Sequence, residues 1–350
     1  MKIFVKLSFF VAVVLFVFIS LPCHSDFVEC ENRNITPPRF SDRAFSDRLP
    51  FLTELVRFRR NVSFALLQNE FSGAFFGNDG YIFSADKVSA DTLLKNLSAI
   101  ESFSKECKSP VLLTLIPQKT DVLYRYLPPL YADGRQELWN TVQKDERYIK
   151  DIFPMLVQKA SEGKYIYYKG DHHLTSLGSY YVYRALSGAL GIEPYGADGF
   201  SVSVVKSDFS GSDARKLVTK SDDKIAIFRY RGDNTFVTEN LDTNESYIGL
   251  YDFEKLHSRD PYGIFPIPDC GYARVYLSDI KRERLLLVAD SYGDSLLPFL
   301  ARHFDVDVID PRYYYGSILE LIEENKYGKI LFCFGIDTLG RGEVLYRLNV

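Results

Sequence analysis

Leu285-Leu286-Leu287-Val288-Ala289-Asp290-Ser291-Tyr292 opens on four aliphatic residues and stops abruptly at a carboxylate and a hydroxyl. A run this apolar, with no alternation, reads as a strand over 284–289 covered on both faces. The same grammar continues to the end of the chain. A helix over roughly 293–304, a strand at 306–309, a helix at 318–325 and a strand at 330–334 complete a β-α-β-α-β unit. Such a unit implies parallel strands with helices on the faces of the sheet. Ligands of these sheets gather beyond the carboxyl ends of the strands. Ser291, Asp310-Pro311-Arg312 and Gly335-Ile336-Asp337 all stand there.

Upstream, the β-rich segments 201–205, 224–230, 246–251 and 272–277 alternate with turns across residues 199–280 and read as an insertion. Before them, Thr175 is placed to cap a helix whose apolar face includes Val182, Ala185, Leu186 and Leu190, with Gly191 just past its end. A short strand at 166–168 leads into Gly170-Asp171-His172-His173. Helices are expected over 87–106 and 133–162, and a fully apolar strand over 111–116 is closed by Pro117. Gly77-Asn78-Asp79-Gly80 is a tight-turn signal that makes a hairpin of 74–76 and 81–83. Residues 26–69 are a polar linker with a helical lead-in at 52–67, so a single α/β domain is expected over 70–350.

Residues 1–25 are a targeting element. Lys2 and Lys6 precede an uncharged apolar run from Leu7 to Leu21, and Asp26, Glu29 and Glu31 follow. That order suits a secretory signal cut after Cys23 to Ser25, or a retained membrane anchor if the run is counted from Met1 to Pro22. Either way the lysines stay cytoplasmic and the rest of the chain is extracytoplasmic, secreted or anchored by this segment. The composition, 46% hydrophobic and 25% charged with a net charge of −4, is ordinary for a globular protein. No run of lysine or arginine forms a patch, so nucleic acid is not an expected partner. The abundant Phe and Tyr are read first as core filling, with a sugar-binding groove as the lesser alternative for some tyrosines. Of the cysteines 23, 30, 107, 270 and 333, the last four are free to pair in an oxidising compartment, while Cys333 in its apolar strand reads as a plain buried thiol.

The chemistry rests on three side chains. A serine that ends an apolar strand and begins a helix has its oxygen exposed, and the helix N-terminus offers free N–H groups to a developing oxyanion. The plain reading of Ser291 is a helix cap. Asp171 and His173, two apart in an extended segment, would lie on one side, with the carboxylate on Nδ1 and Nε2 left for the serine. His172 would point the other way as support. Asp and His also bind metals, but only His24, His257 and His303 remain and none has ligand spacing, so neither metal nor cofactor is expected.

Together these pieces resemble a family. Tyr167-Tyr168-Lys169-Gly170-Asp171-His172-His173 with Thr175 and Gly178-Ser179-Tyr180-Tyr181, then Val288-Ala289-Asp290-Ser291-Tyr292 and Asp310-Pro311-Arg312-Tyr313, look like the DHHW proteins of Gram-positive bacteria. Those are similar to SGNH-type alginate O-acetyltransferases, in which the Asp-x-His pair precedes the serine, a permuted triad order. Residues 76–83, and Ile116-Pro117 with Leu127-Pro128, resemble further family segments, so the likeness spans about 70–345. It implies an SGNH-hydrolase-like three-layer fold with helices on both faces of the sheet. It also implies Ser291 as nucleophile, His173 as general base and Asp171 as its orienting carboxylate. The family's Trp is replaced by Leu174, which removes an aromatic wall beside the histidine, and Ala289 replaces a Gly. Asp337 stands where an amide donor would complete an oxyanion hole and is left without that role. The Ser291 N–H and Arg312 are the oxyanion candidates, with Tyr292 and His172 as substrate contacts, although Arg312 equally suits a structural ion pair.

The resulting expectation is exported, serine-dependent O-acyl transfer, foremost O-acetyl, on a cell-envelope or secreted polysaccharide. Its partners would be the polysaccharide, an acyl donor and a membrane protein that supplies acyl groups. The alternatives are a carbohydrate esterase of the same fold and a non-catalytic glycan-binding envelope protein. A metal-dependent phosphoesterase is the weakest reading.

Overall fold

Three strands with hardly a polar residue, Val111–Ile116, Arg284–Ala289 and Lys329–Gly335, must be shielded on both sides, and this requirement organises the molecule. The computed structural model describes residues 27–28, 33–34, 52–65, 70–86, 88–131, 139, 142, 149–232, 235–266, 270–345 and 348. The proposed signal or anchor, most of the linker, Cys23 and Cys30 lie outside them. Among the described residues no helix is long and apolar enough to cross a membrane.

Helix α1 (Leu52–Ala65) precedes the hairpin β1 (Ala74–Phe76) and β2 (Ile82–Ser84), which pairs Phe75 with Phe83. Asp79 and Gly80 take positive φ in its turn, as the Asn-Asp-Gly signal requires. Helix α2 (Ala90–Glu106) starts on Ser89, whose side chain accepts from the Thr92 N–H, and leads into β3 (Val111–Ile116) and the single turn α3 (Lys119–Val122). Of the helix expected over 133–162, the described part contains α4 (Phe153–Ser161); Ile149 instead bridges in parallel to Leu113. Helix α5 (Ser176–Leu190) has the anticipated ends: Thr175 accepts from the Gly178 N–H, and Gly191 is left-handed at φ 65°.

The β-rich residues divide in two. β4 (Phe200–Phe209) and β5 (Asp223–Tyr230) form their own antiparallel pair, joined through the short helix α6 (Ser212–Lys216). β6 (Phe236–Asn240), β7 (Glu245–Ile248) and β8 (Tyr272–Leu277) instead extend the main sheet. β9 (Arg284–Ala289), α7 (Ser291–Leu300), β10 (Asp305–Ile309), α8 (Ile318–Asn325), β11 (Lys329–Gly335) and α9 (Ile336–Arg341) close the chain.

The seven-stranded order is β3-β11-β9-β10-β8-β6-β7. The four strands from β3 to β10 are parallel, as the β-α-β-α-β pattern implies, whereas β8, β6 and β7 add antiparallel, so the sheet is mixed. Side-chain alternation shows how it is covered. A Cβ on Gly293 of α7 would meet the side chains of Ala289 and Leu287, so α7 lies over that face. Phe332 is in register with Val288, on the face opposite to Leu287 and Ala289, and its ring meets Phe103 of α2 edge-on at 5.5 Å. Helices therefore cover both faces. Among the described residues Cys107, Cys270 and Cys333 are free thiols, and Cys333 is fully buried as expected.

Candidate active site

The segment expected to carry Asp171 and His173 in extended form is bent back on itself. The Tyr168 N–H donates to the His173 carbonyl (3.2 Å) and the Thr175 N–H to that of Ile166 (2.9 Å), so residues 169–172 form a clipped turn. Asp223 fastens its base by accepting from the Lys169 and Gly170 N–H groups at 2.8 and 2.7 Å. Asp171 and His173 still meet, but through the bend. Asp171 Oδ1 accepts from the His173 backbone N–H (2.9 Å), a side chain closing a turn on the residue two ahead, and lies 2.6 Å from Nδ1 of the same ring.

With Nδ1 thus protonated, Nε2 is an acceptor, and Ser291 Oγ lies 2.8 Å from it across 118 residues of sequence. Ser291 is the first residue of α7, where backbone N–H groups have no intrahelical acceptor. The cap is Asp290, whose carboxylate accepts from the Tyr292 N–H (3.0 Å) and the Gly335 N–H (2.9 Å), tying the ends of β9 and β11 together. The capping role is filled by the aspartate, which leaves the serine hydroxyl for the imidazole.

Asp171 and His173 are buried. Burial pushes the Asp171 carboxyl upward, yet the adjacent His173 and His172 and the hydrogen bonds from His173 hold it well below the usual carboxylate range. The second carboxylate oxygen accepts from the Ser212 N–H at 2.6 Å. Lys119, itself buried, donates to the Asp171 carbonyl (2.7 Å) and pairs with buried Asp213 at 3.0 Å. Gly211 makes this approach possible, because a Cβ there would sit 2.2 Å from that of Asp171.

The His173 ring stacks on Tyr262 with centroids 3.9 Å apart and planes 11° apart. Tyr262 is thus the aromatic wall that the sequence seemed to lack. Leu174 lies 1% exposed in the core, bridged to Tyr167. Nothing local in the sequence marks Tyr262, Ser212, Gly211 or Lys119, because each reaches the site from a distant element.

The remaining candidates have other work. His172 does not turn away: its ring packs 3.9 Å from that of His173, and Nδ1 lies 2.8 Å from Ser212 Oγ. Burial, then the neighbouring His173, lowers its pKa to about 4, so it is neutral at physiological pH. The Tyr292 hydroxyl, named as a substrate contact, donates to the His172 carbonyl (3.0 Å) and so braces the turn. Arg312 is the ion-pair alternative: its guanidinium bonds both carboxylate oxygens of Asp310 at 2.5 to 3.0 Å. Asp337 pairs through one oxygen with Arg341, while the other is buried with no hydrogen-bond partner among the described residues. Asp171, His172 and His173 bring ligating atoms within 4.8 Å of one another, but each is already engaged as described, so a metal would have to break the relay.

A family model described as DHHW protein matches residues 132–309. No curated protein sequence matches the chain. Among solved structures, a DHHW family protein from Eubacterium siraeum superposes with a TM-score of 0.64 at 18% identity, covering 80% of this chain and 96% of that one. Bacillus cereus PatB1 gives 0.62 at 17% identity, covering 77% and 97%, and PatB1 with a sulfonyl adduct gives 0.63 at 18%, covering 78% and 98%. These likenesses establish a shared fold.

Proposed function

The chain belongs to the DHHW protein family, and on that premise we propose that it is an exported, serine-dependent O-acyltransferase, foremost an O-acetyltransferase, acting on cell-envelope or secreted polysaccharide. The observation that carries this reading is the relay Asp171–His173–Ser291, with contacts of 2.6 and 2.8 Å. In the proposed reaction His173 Nε2 takes the Ser291 proton as Oγ attacks the acyl carbonyl of a donor ester. The tetrahedral oxyanion is met by the Ser291 backbone N–H at the start of α7. The donor's leaving oxygen departs with the proton from His173, leaving an acyl-serine. A sugar hydroxyl then gives its proton to His173 and attacks the acyl-serine, which returns the acyl group to the glycan and the hydroxyl to Ser291. Water in place of the sugar would make the same site an esterase. The permuted order, with the Asp-x-His pair ahead of the serine, accords with the SGNH-type resemblance. The acyl donor side suits a membrane partner that delivers acyl groups outside the cell, in keeping with the basic, apolar N-terminal run.

The test uses 4-nitrophenyl acetate. Wild type should release nitrophenolate with a burst and gain one acetyl group by mass, whereas Ser291→Ala should lose the adduct and fall by about a thousandfold or more in rate. Equal turnover in the two proteins, with no adduct on either, would overturn the enzymatic reading.

A further inference from the structure

Helix α1 is apolar on two opposite sides, and only one of them is used by the fold. Val56 and Phe64 pack against the small cluster of Phe71, Ala74, Ile82, Ala214 and Leu217, and Arg60 on the same side donates to the carbonyls of Leu217 (2.7 Å) and Val218 (3.1 Å). Leu55, Phe58 and Val62, spaced as one helical stripe, stand on the other side 50%, 68% and 40% exposed. Exposed Arg59 flanks this stripe, while Arg57 and Arg60 lie toward the packed side, and the three arginines outnumber the helix's only acidic residue, Glu54. An outward phenylalanine between two aliphatic residues, with an arginine at the flank, is the composition of a helix that lies in a lipid–water interface.

We infer that α1 seats this protein on the surface of an anionic bilayer, with Leu55, Phe58 and Val62 inserted among the acyl chains and Arg59 at their flank against lipid phosphates. Chain length favours a bilayer over other occupants. The apolar run 7–21 is followed by only residues 22–51 before α1 begins, a span of at most about 100 Å even if fully extended. An anchor of that reach keeps the helix at high local concentration over the membrane, so three inserted side chains suffice. This rests on the retained-anchor reading of the N-terminal run, but not on any chemistry at Ser291.

The chain's single tryptophan, Trp139, is buried, so an added tryptophan reports its own surroundings. Full-length Phe58→Trp should be bound to vesicles of phosphatidylcholine and phosphatidylglycerol with brominated acyl chains. Val202→Trp, on an exposed site of β4 that is 56% accessible, serves as the control in the same tethered chain. The expected result is loss of most of the emission added at 58 and none at 202, with the quenching at 58 weakened by salt because the arginine–phosphate attraction is screened. Unquenched emission at 58, equal quenching at both sites, or failure of the chain to float with vesicles would overturn the inference. Emission at 58 that responds only to another protein would reassign the face to a protein partner. Hydrolysis of 4-nitrophenyl acetate in solution should be the same in Phe58→Trp and wild type, so a defect at the serine would be seen separately.

Discussion

At the scale of single residues, the proposed chemistry depends on one residue, Asp171, doing four things. Asp171 fixes the His173 tautomer, closes the turn on the His173 N–H, accepts from Ser212 and offers its carbonyl to Lys119. Asp171→Asn replaces an acceptor by an amide that can donate to Nδ1, so the imidazole would present its proton to Ser291 instead of a lone pair. Acyl transfer should fall by about 10³ to 10⁴-fold, read from the rate of acyl-serine formation. The same substitution has a defined pH signature. The folded pKa of Asp171 lies below its unfolded value near 4, so its ionised form stabilises the fold fully above that unfolded value. The contribution disappears as pH falls through the folded pKa. Melting curves should therefore show wild type ahead of Asp171→Asn by a constant margin above about pH 5, narrowing on acidification; a margin that widens in acid would refute it. The Asp-x-His spacing and the strand-ending serine were legible because each is a local pattern. Tyr262, which stacks on the imidazole, was not, since a lone tyrosine in Pro261-Tyr262-Gly263 carries no local signal.

At the scale of elements, the site is assembled from ends. Ser291 comes from the junction of β9 and α7, the histidine from the clipped turn before α5, and the Ser212 N–H from the start of α6. The caps that set these ends were readable: Thr175 and Gly191 bracket α5 as their residue types require. The starting residue of α7 was placed two late, because a helix begun by Asp290 as cap makes Ser291 its first residue. Gly211 is the test of how closely these ends approach. Gly211→Ala would force a carbon to within 2.2 Å of Asp171 Cβ, so either the turn or α6 must shift. A near-attack arrangement displaced by about an ångström loses roughly a hundredfold in rate. That loss should appear in acylation by 4-nitrophenyl acetate while far-ultraviolet circular dichroism is unchanged. Full activity would mean that the contact relaxes freely.

At the scale of the whole molecule, the parallel and antiparallel halves of the sheet meet at β10, and a buried carboxylate marks the seam. Asp307, with no exposed surface, accepts from Arg274 of β8, Arg284 of β9 and the hydroxyls of Tyr272 and Tyr327. Burial raises its pKa, but the Arg274 and Tyr327 hydrogen bonds and the two arginine charges leave it below the ordinary value. Removing that charge strands the two arginines, so Asp307→Asn should cost on the order of 3–5 kcal/mol. Melting should fall by roughly 10 °C or more, with acylation per folded molecule unaltered. A melting point within a degree or two of wild type would show that solvent satisfies the arginines. The chain's own order of residues determined the β-α-β-α-β unit, its parallel strands, the carboxyl-end position of Ser291 and the Asp171–His173 pairing, because period, capping and turn chemistry act over a few neighbours. Only the tertiary structure decided that β6, β7 and β8 extend the sheet antiparallel while β4 and β5 stand apart, since strand choice depends on non-local pairing. It also decided that Leu174 belongs to the core, that Tyr262 walls the histidine, and that Arg312 is spent on Asp310. Those contacts join residues far apart in sequence, and their energies exist only once the intervening chain has closed around them.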